Sequence, residues 1–140
     1  MIGILVITHG MLGESLVHCA SHMLNKRPPR LGQLGIMAQD DPLLLLPQAR
    51  ALVQELDDGH GVLILTDMYG GSPSNIAQKL IVPGKVEAVA GVSLPMLIRA
   101  LTYRERSLQT IVTKAVSGGC EGVMRVPPPL ASVHNAATGS

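Results

Sequence analysis

Short apolar runs alternate along the chain with longer segments in which apolar residues recur every three or four positions. A short run without polar interruption predicts a strand buried on both faces, and the longer spacing predicts an amphipathic helix. The predicted strands cover residues 2–7, 32–37, 61–66 and 86–92. The predicted helices cover residues 12–24, 47–56, 73–80, 94–101 and 108–117. This alternation predicts an α/β protein in which a mostly parallel sheet lies between two helical layers.

Helix boundaries are marked by capping side chains, prolines and glycines. Side chains that can accept a hydrogen bond from a first-turn N–H group precede four helices. They belong to Asp41, Ser72, Ser93 and Ser107. Asp41 with Pro42 can begin the second helix, but Pro47 complicates that start because proline removes a backbone hydrogen bond, so the helical pattern is uninterrupted only over residues 47–56. Gly118 and Gly119 are predicted to end the last helix.

The end of the chain is predicted to hold one more strand and a tail. Residues 122–126 can form a short strand that pairs at a sheet edge, in its own subunit or in a neighbour. Residues 127–140 contain mainly Pro, Ala, Ser and Gly, so they are predicted to be a disordered tail. We therefore expect one domain over residues 1–126.

Composition narrows the class of protein. The formal net charge is +1, no apolar run reaches the roughly 18 residues of a membrane helix, and no basic leader precedes the first strand. Two cysteines without metal or redox spacing suggest a reducing, cytoplasmic location. With two tyrosines and no Phe or Trp, the chain lacks the stacking platforms of single-stranded nucleic-acid sites. The basic stretch 26–30 is interpreted as a solvated loop, with a docking patch for an acidic partner as the alternative.

Candidate chemistry is concentrated at the ends of two predicted strands. His9 follows the first strand, Asp67 follows the third, and Gly70-Gly71-Ser72 lead into a helix. Open α/β sheets place reactive groups at the carboxyl ends of their strands. An imidazole, with an ordinary pKa of about 6.5, is a good nucleophile near neutral pH, and a carboxylate can fix its tautomer.

The glycine-rich turn completes a possible phosphoryl site. Backbone N–H groups in such a turn, together with a helix N-terminus, bind anions. Gly10 allows the backbone to come close to the bound group. Each feature alone has an ordinary structural explanation, since His9 or Asp67 can cap a helix and Gly70-Gly71 can be a simple turn. The prediction depends on all of them meeting at one edge of the sheet.

Other polar residues give weaker signals. His18 and His22 have the spacing of metal ligands on a helix, but no third ligand is evident, so no metal and no cofactor is expected. His60 precedes a strand and is not placed for chemistry by this interpretation. No Walker-type lysine loop is present, which argues against ATP as the direct phosphoryl donor. A histidine phosphatase would need an arginine beside its histidine, and His9 has none.

Three segments together resemble a known family. Residues 3–10 (GILVITHG), 65–75 (LTDMYGGSPSN) and 90–97 (AGVSLPML) resemble the IIA component of the mannose family of the bacterial sugar phosphotransferase system. The likeness runs in order over residues 1–126. One departure is Ser74, which stands where relatives often carry a larger apolar or aromatic residue.

The resemblance implies a phosphotransferase that works through a phosphohistidine. His9 would accept a phosphoryl group from the phosphocarrier protein HPr and pass it to a downstream IIB protein. Asp67 would orient the ring, and Gly71 and Ser72 would face the phosphate. The resemblance also implies the sheet order 2-1-3-4 with an antiparallel edge strand at residues 122–126, exchanged between subunits of a homodimer. The membrane would be involved only through a transporter complex.

Two alternatives stay open. Because no linked IIB domain follows in this sequence, the acceptor is expected to be a separate protein or absent. If it is absent, the chain is a regulatory switch that reports its phosphorylation state without sugar transport. The other alternative is the phosphoryl-donor subunit of dihydroxyacetone kinase, which differs in the acceptor that it phosphorylates.

Overall fold

The computed structural model describes residues 1–130, which form four strands and five helices. The strands are β1 (Gly3–His9), β2 (Leu31–Ile36), β3 (Val62–Thr66) and β4 (Val86–Ala90). The helices are α1 (Leu12–Met23), α2 (Pro42–Leu56), α3 (Ser72–Leu80), α4 (Leu94–Thr102) and α5 (Leu108–Glu121). All strand pairs are parallel, in the order β2-β1-β3-β4. The predicted α/β class and the order 2-1-3-4 are confirmed.

The sheet is buried on both faces, as its uninterrupted apolar runs predict. Alternate side chains of β1 point to opposite sides, so Ile4 and Val6 join one core and Leu5 and Ile7 join the other. The first core includes residues of α1, α4 and α5, and the second includes residues of α2 and α3. The molecule is therefore a three-layer sandwich.

Three predicted caps are observed and one is wrong. The side chains of Asp41, Ser93 and Ser107 accept hydrogen bonds from first-turn backbone N–H groups. At α3 the capping residue is Gly71, and Ser72 is already the first helical residue without a capping hydrogen bond. Because Gly71 takes this position, the backbone at the start of α3 is left without a side-chain partner.

The second helix is longer than predicted. It begins at Pro42 and continues through Pro47 to Leu56. Pro47 removes one hydrogen bond, but the Asp41 cap and the buried face of Ala49, Val53 and Leu56 hold the helix together.

The last helix also continues past its predicted end. Gly118 and Gly119 lie inside α5, where they allow close packing against α4. A Cβ on Gly118 would lie 2.9 Å from Cβ of Arg99, and one on Gly119 would lie 2.7 Å from Cε of Met96. These two glycines are therefore helix-contact residues and do not terminate the helix.

The predicted fifth strand is not formed within the chain. Residues 123–126 have no strand pairing, and Val123 and Val126 are 84% and 85% exposed. A strand requires a hydrogen-bonded neighbouring strand, and this segment has none among residues 1–130. Its exchange between subunits stays a prediction. Of the predicted tail, residues 131–140 lie outside the described residues.

Arginines near the edge of the sheet where the strands begin, called the amino edge, stabilise the fold through hydrogen bonds to the backbone. Arg104 is 5% exposed and donates hydrogen bonds to the carbonyl oxygens of Ile2, Pro29 and Arg30. Arg27 and Arg30, from the basic stretch, also donate to backbone carbonyls. Two arginines of the basic stretch 26–30 therefore stabilise loops through hydrogen bonds to the backbone. Over residues 1–130, no helix combines the length and apolar character that a membrane crossing requires.

Candidate functional site

The strand register brings the two predicted chemical groups together. In the β1–β3 pair, Ile7 lies beside Thr66, so the residues that follow each of them meet at the carboxyl edge. Nδ1 of His9 lies 2.8 Å from Oδ2 of Asp67. The ring is half exposed, whereas the carboxylate is only 12% exposed. These two residues are 58 positions apart in the sequence, and the parallel pairing of β1 with β3 brings them together.

Asp67 is held as a carboxylate by several donors. Its Oδ2 also accepts the backbone N–H of His9 at 3.0 Å, and its Oδ1 accepts the backbone N–H of Met68 at 3.0 Å. Partial burial by itself raises the pKa of Asp67, but the hydrogen bonds and the positive charge that His9 can carry hold that pKa below its ordinary value. An ionised Asp67 is an acceptor only, so Nδ1 of His9 carries the proton between them.

The other ring nitrogen, Nε2, is therefore the free nucleophilic atom, and it faces Gly71. A Cβ on Gly71 would lie 3.1 Å from Nε2 and 2.8 Å from Cε1 of His9. A side chain at this point would displace either the ring of His9 or the start of α3. Gly71 is also the capping residue of α3, so the positive end of that helix is directed toward the nitrogen.

The turn before α3 supplies backbone donors beside the ring. Gly70 has a φ of +97°, which turns the chain into the helix start. The first N–H groups of an α-helix have no acceptor within the helix, and Gly71, which caps α3, lies against the ring of His9. Ser72 is the first residue of α3 and follows Gly71 directly. This arrangement suits three anionic oxygens on a group attached to Nε2.

Gly10 lies in the turn that leads from His9 into α1. Its φ is +54°, and its N–H group donates to the carbonyl oxygen of Ile36 at 2.8 Å. Because Gly10 has no side chain, the backbone can come close to a bound group here, and its place beside the phosphoryl group stays a prediction.

Sequence reasoning missed two residues that support this turn. Thr8 is completely buried, and its Oγ1 accepts the N–H of Gly13 at 2.7 Å, which ties the start of α1 to β1. Gly35 on β2 lies against the carbonyl of Gly10, where any side chain would overlap. A polar residue at the end of an apolar run was a usable signal for Thr8. Nothing in the sequence marked Gly35.

Exposed apolar side chains follow the carboxyl ends of β1, β2 and β3. Met11, Met68 and Tyr69 are 59%, 57% and 78% exposed and follow closely after His9 or Asp67 in the chain. Met37, which follows the strand partner of His9, is 39% exposed. Ser74, by contrast, is buried in α3 and does not belong to this rim.

The remaining candidates do not join the site. His18 and His22 lie on the exposed face of α1, and Cys19 and Cys120 are exposed free thiols. Within residues 1–130, no three His, Cys, Asp or Glu side chains are grouped so that they could hold a metal ion.

The fold and the site define a class: an α/β protein that presents a carboxylate-oriented histidine at the carboxyl edge of a parallel sheet. The sequence profile of the EIIA-man family, described as the PTS system fructose IIA component, matches residues 3–116. The chain therefore belongs to this family of the phosphotransferase system (PTS).

Relatives with described roles support this assignment. The mannose-specific EIIAB component of the PTS from Escherichia coli strain K12 is 34% identical over 125 residues, covering 87% of this chain and 38% of the relative. This chain thus spans well under half the length of that relative. The fructose-specific EIIA component of Bacillus subtilis is 37% identical over 54 residues, or 38% of this chain and 37% of the relative.

Solved structures share the fold. The mannose/sorbose specific IIA subunit from Enterococcus faecalis has a TM-score of 0.81 at 21% identity, covering 91% of this chain and 96% of that one. The PTS IIA protein associated with the fucose utilization operon of Streptococcus pneumoniae has a TM-score of 0.77 at 25% identity, covering 88% and 91%.

Proposed function

We propose that the protein is a phosphoryl carrier of a sugar phosphotransferase system that is phosphorylated on Nε2 of His9. The supporting observation is the orientation of this ring. Asp67 holds Nδ1 at 2.8 Å, while Nε2 faces Gly71 and the start of α3. The donor is phospho-HPr, and the acceptor is a histidine on a IIB protein.

The transfer requires alignment and charge stabilisation more than covalent assistance. Nε2 attacks the phosphorus of the donor phosphohistidine, so a P–N bond forms on His9 as the donor P–N bond breaks. The ring of His9 then carries a phosphoryl group on Nε2 and a proton on Nδ1, and its positive charge is stabilised by the Asp67 carboxylate. The backbone N–H groups of Gly71 and Ser72 receive the phosphoryl oxygens. The reverse exchange delivers the group to the acceptor.

The apolar rim of Met11, Met37, Met68 and Tyr69 is the surface on which these protein partners dock. A surface of this kind contributes binding energy by excluding water, and flexible methionines adapt to differently shaped partners. The same edge carries the free nitrogen, so docking and transfer occur at one place. We place the protein in the cytoplasm, where HPr is found, with its contact to the membrane made only through a transporter complex.

The protein is also proposed to act as a homodimer with a carrier domain over residues 1–126. Two observations favour an exchanged strand. Among residues 1–130, the outer edge of β4 pairs only through a single bridge between Val82 and Val86, and residues 122–126 pair with no strand, with Val123 and Val126 exposed. An unpaired edge and an unpaired segment are complementary.

The test is direct. The chain is incubated with phosphoenolpyruvate, enzyme I and HPr, and the acid-labile phosphate is mapped by mass spectrometry. We expect one phosphoryl group on His9 and complete loss of it in His9→Ala. Full labelling of the His9→Ala protein by phospho-HPr would refute the proposal. Adding IIB proteins, and separately the dihydroxyacetone kinase subunits, then distinguishes transport from the kinase-donor and regulatory alternatives by which acceptor, if any, takes the phosphoryl group.

A further inference from the structure

A second histidine–carboxylate pair lies at the opposite, amino edge of the sheet. Nδ1 of His60 is 2.7 Å from Oδ1 of Asp58, and the same oxygen accepts the backbone N–H of His60 at 3.2 Å. Both residues precede β3, whereas Asp67 follows it. The two histidine–carboxylate pairs therefore lie at opposite ends of β3, a five-residue strand that is roughly 16 Å long.

The second pair repeats the hydrogen-bond pattern of the first. In each pair, one carboxylate oxygen accepts both the backbone N–H and the Nδ1–H of the histidine. The ring of His60 is 69% exposed, compared with 50% for His9. The amino group of Met1 lies 3.1 Å from Oδ2 of Asp58 and 3.4 Å from Nδ1 of His60. Because the ionised carboxylate of Asp58, 2.7 Å away, is the nearer partner and can only accept, Nδ1 of His60 carries the proton and Nε2 is the free nitrogen there as well.

The surroundings keep Asp58 ionised and the ring accessible. The hydrogen bond from the His60 ring is the largest influence that holds the pKa of Asp58 far below its ordinary value; desolvation opposes it and the amino group of Met1 adds to it. Nε of Arg30 lies 3.9 Å from Oδ2 of Asp58. Gly59 and Gly61, both with a φ of +103°, flank His60 and leave no side chain beside it in sequence.

We propose that His60 is a second phosphorylatable histidine, which takes a phosphoryl group on Nε2 from small phosphoramidate-type donors. The pair has the oriented nucleophile of the His9 site, but it leads into β3 and not into a helix. A small donor with a solvated phosphoryl group does not depend on backbone donors from a helix start.

The step is balanced with phosphoramidate as the donor. Nε2 of His60 attacks phosphorus, the P–N bond to the amine breaks, and ammonia leaves with the bonding electron pair. The ring keeps its proton on Nδ1 and becomes a cation, which the Asp58 carboxylate stabilises. The guanidinium group of Arg30 is close enough to Asp58 to offset the added negative charge.

The experiment uses the full chain with His9→Ala, so that labelling at the first site cannot contribute and the result does not depend on the function proposed for His9. The protein is treated with phosphoramidate, and phosphohistidines are mapped over time by mass spectrometry under alkaline conditions. His18 and His22 serve as internal controls, because both are exposed and neither has a carboxylate oxygen within 4 Å among residues 1–130.

We expect His60 to be labelled about tenfold faster than His18 or His22, which corresponds to ~1.4 kcal/mol of transition-state stabilisation. Asp58→Asn is expected to reduce labelling of His60 to the rate of the control histidines. Equal labelling rates at His60, His18 and His22 overturn the proposal. This comparison is made within one protein, so it does not depend on whether an Asp58 variant folds. Unchanged labelling in a folded Asp58→Asn protein overturns it as well.

Discussion

Gly71→Ala tests the geometry of the His9 site most sharply. The added methyl group would lie 2.8 Å from Cε1 and 3.1 Å from Nε2 of His9. Non-bonded carbon atoms are most stable about 3.5–4.0 Å apart, so the methyl group is about 0.7 Å too close to Cε1. Either the ring moves away from Asp67, or the start of α3 moves away from Nε2.

Either movement is expected to slow phosphoryl transfer to Nε2 of His9. A misplacement of about 1 Å at a reacting centre costs about 100-fold in rate, so we expect phosphoryl transfer from phospho-HPr to fall by about 10- to 100-fold. Stability should change little. Gly71 has a φ of −94° and a ψ of 177°, which alanine adopts without strain. The loss of a glycine cap is about balanced by the lower entropy of the unfolded chain.

Gly84→Ala is the matched control. Gly84 has a φ of +81°, a Cβ added to it would meet no heavy atom within 4 Å, and it lies in the turn before β4 at the other edge. The variant should lose about 1–2 kcal/mol of unfolding free energy and transfer normally. Rates come from rapid-quench transfer assays and stabilities from urea unfolding. A folded Gly71→Ala protein that transfers at the rate of the unsubstituted chain would refute the assigned position of Nε2.

Further predictions concern the charged groups. Asp67→Asn should keep the fold but slow the transfer, because the ring loses the carboxylate that stabilises its cation; an unchanged rate in the same quench assay would make Asp67 structural. Since the pKa of Asp67 is lowered by folding, its contribution to stability is present above the ordinary aspartate pKa of about 3.9 and is lost as the pH falls below it. Urea titrations from about pH 6 to about pH 2 should therefore show a smaller acid loss in Asp67→Asn than in the parent chain. Arg104→Met removes the donors to the carbonyl oxygens of Ile2, Pro29 and Arg30, of which the last keeps the N–H group of Ile4, and should cost about 2–4 kcal/mol in urea unfolding, with no specific effect on transfer per folded molecule.

The sheet and the proximity of the two site residues followed from the sequence for a definite reason. The runs that became β1 and β3 are buried on both faces, so their apolar composition identifies them without tertiary information. The family resemblance implied that these strands are neighbours, and once they are parallel neighbours, His9 and Asp67 must end at the same edge. The chemistry of the pair was thus predictable from residue type together with the resemblance.

The errors arose where a contact decides the conformation. Gly118 and Gly119 resemble a helix terminator in sequence, but packing against α4 keeps them helical. Pro47 resembles a helix start, but the Asp41 cap is strong enough to begin the helix a turn earlier.

The Asp58–His60 pair escaped the sequence interpretation for another reason. A histidine two positions after an aspartate is common in turns, and only the folded structure shows that one oxygen accepts both N–H groups. Spacing alone does not distinguish an oriented ring from a freely rotating one.

The placement of the free imidazole nitrogen at a single edge has a kinetic consequence for the proposed relay. Two proteins cannot occupy the same half-exposed ring, so the one that delivers and the one that collects must bind in succession. The rate of phosphoryl transfer through such a relay is limited by how quickly each partner protein dissociates, which favours weak, short-lived complexes over long-lived ones.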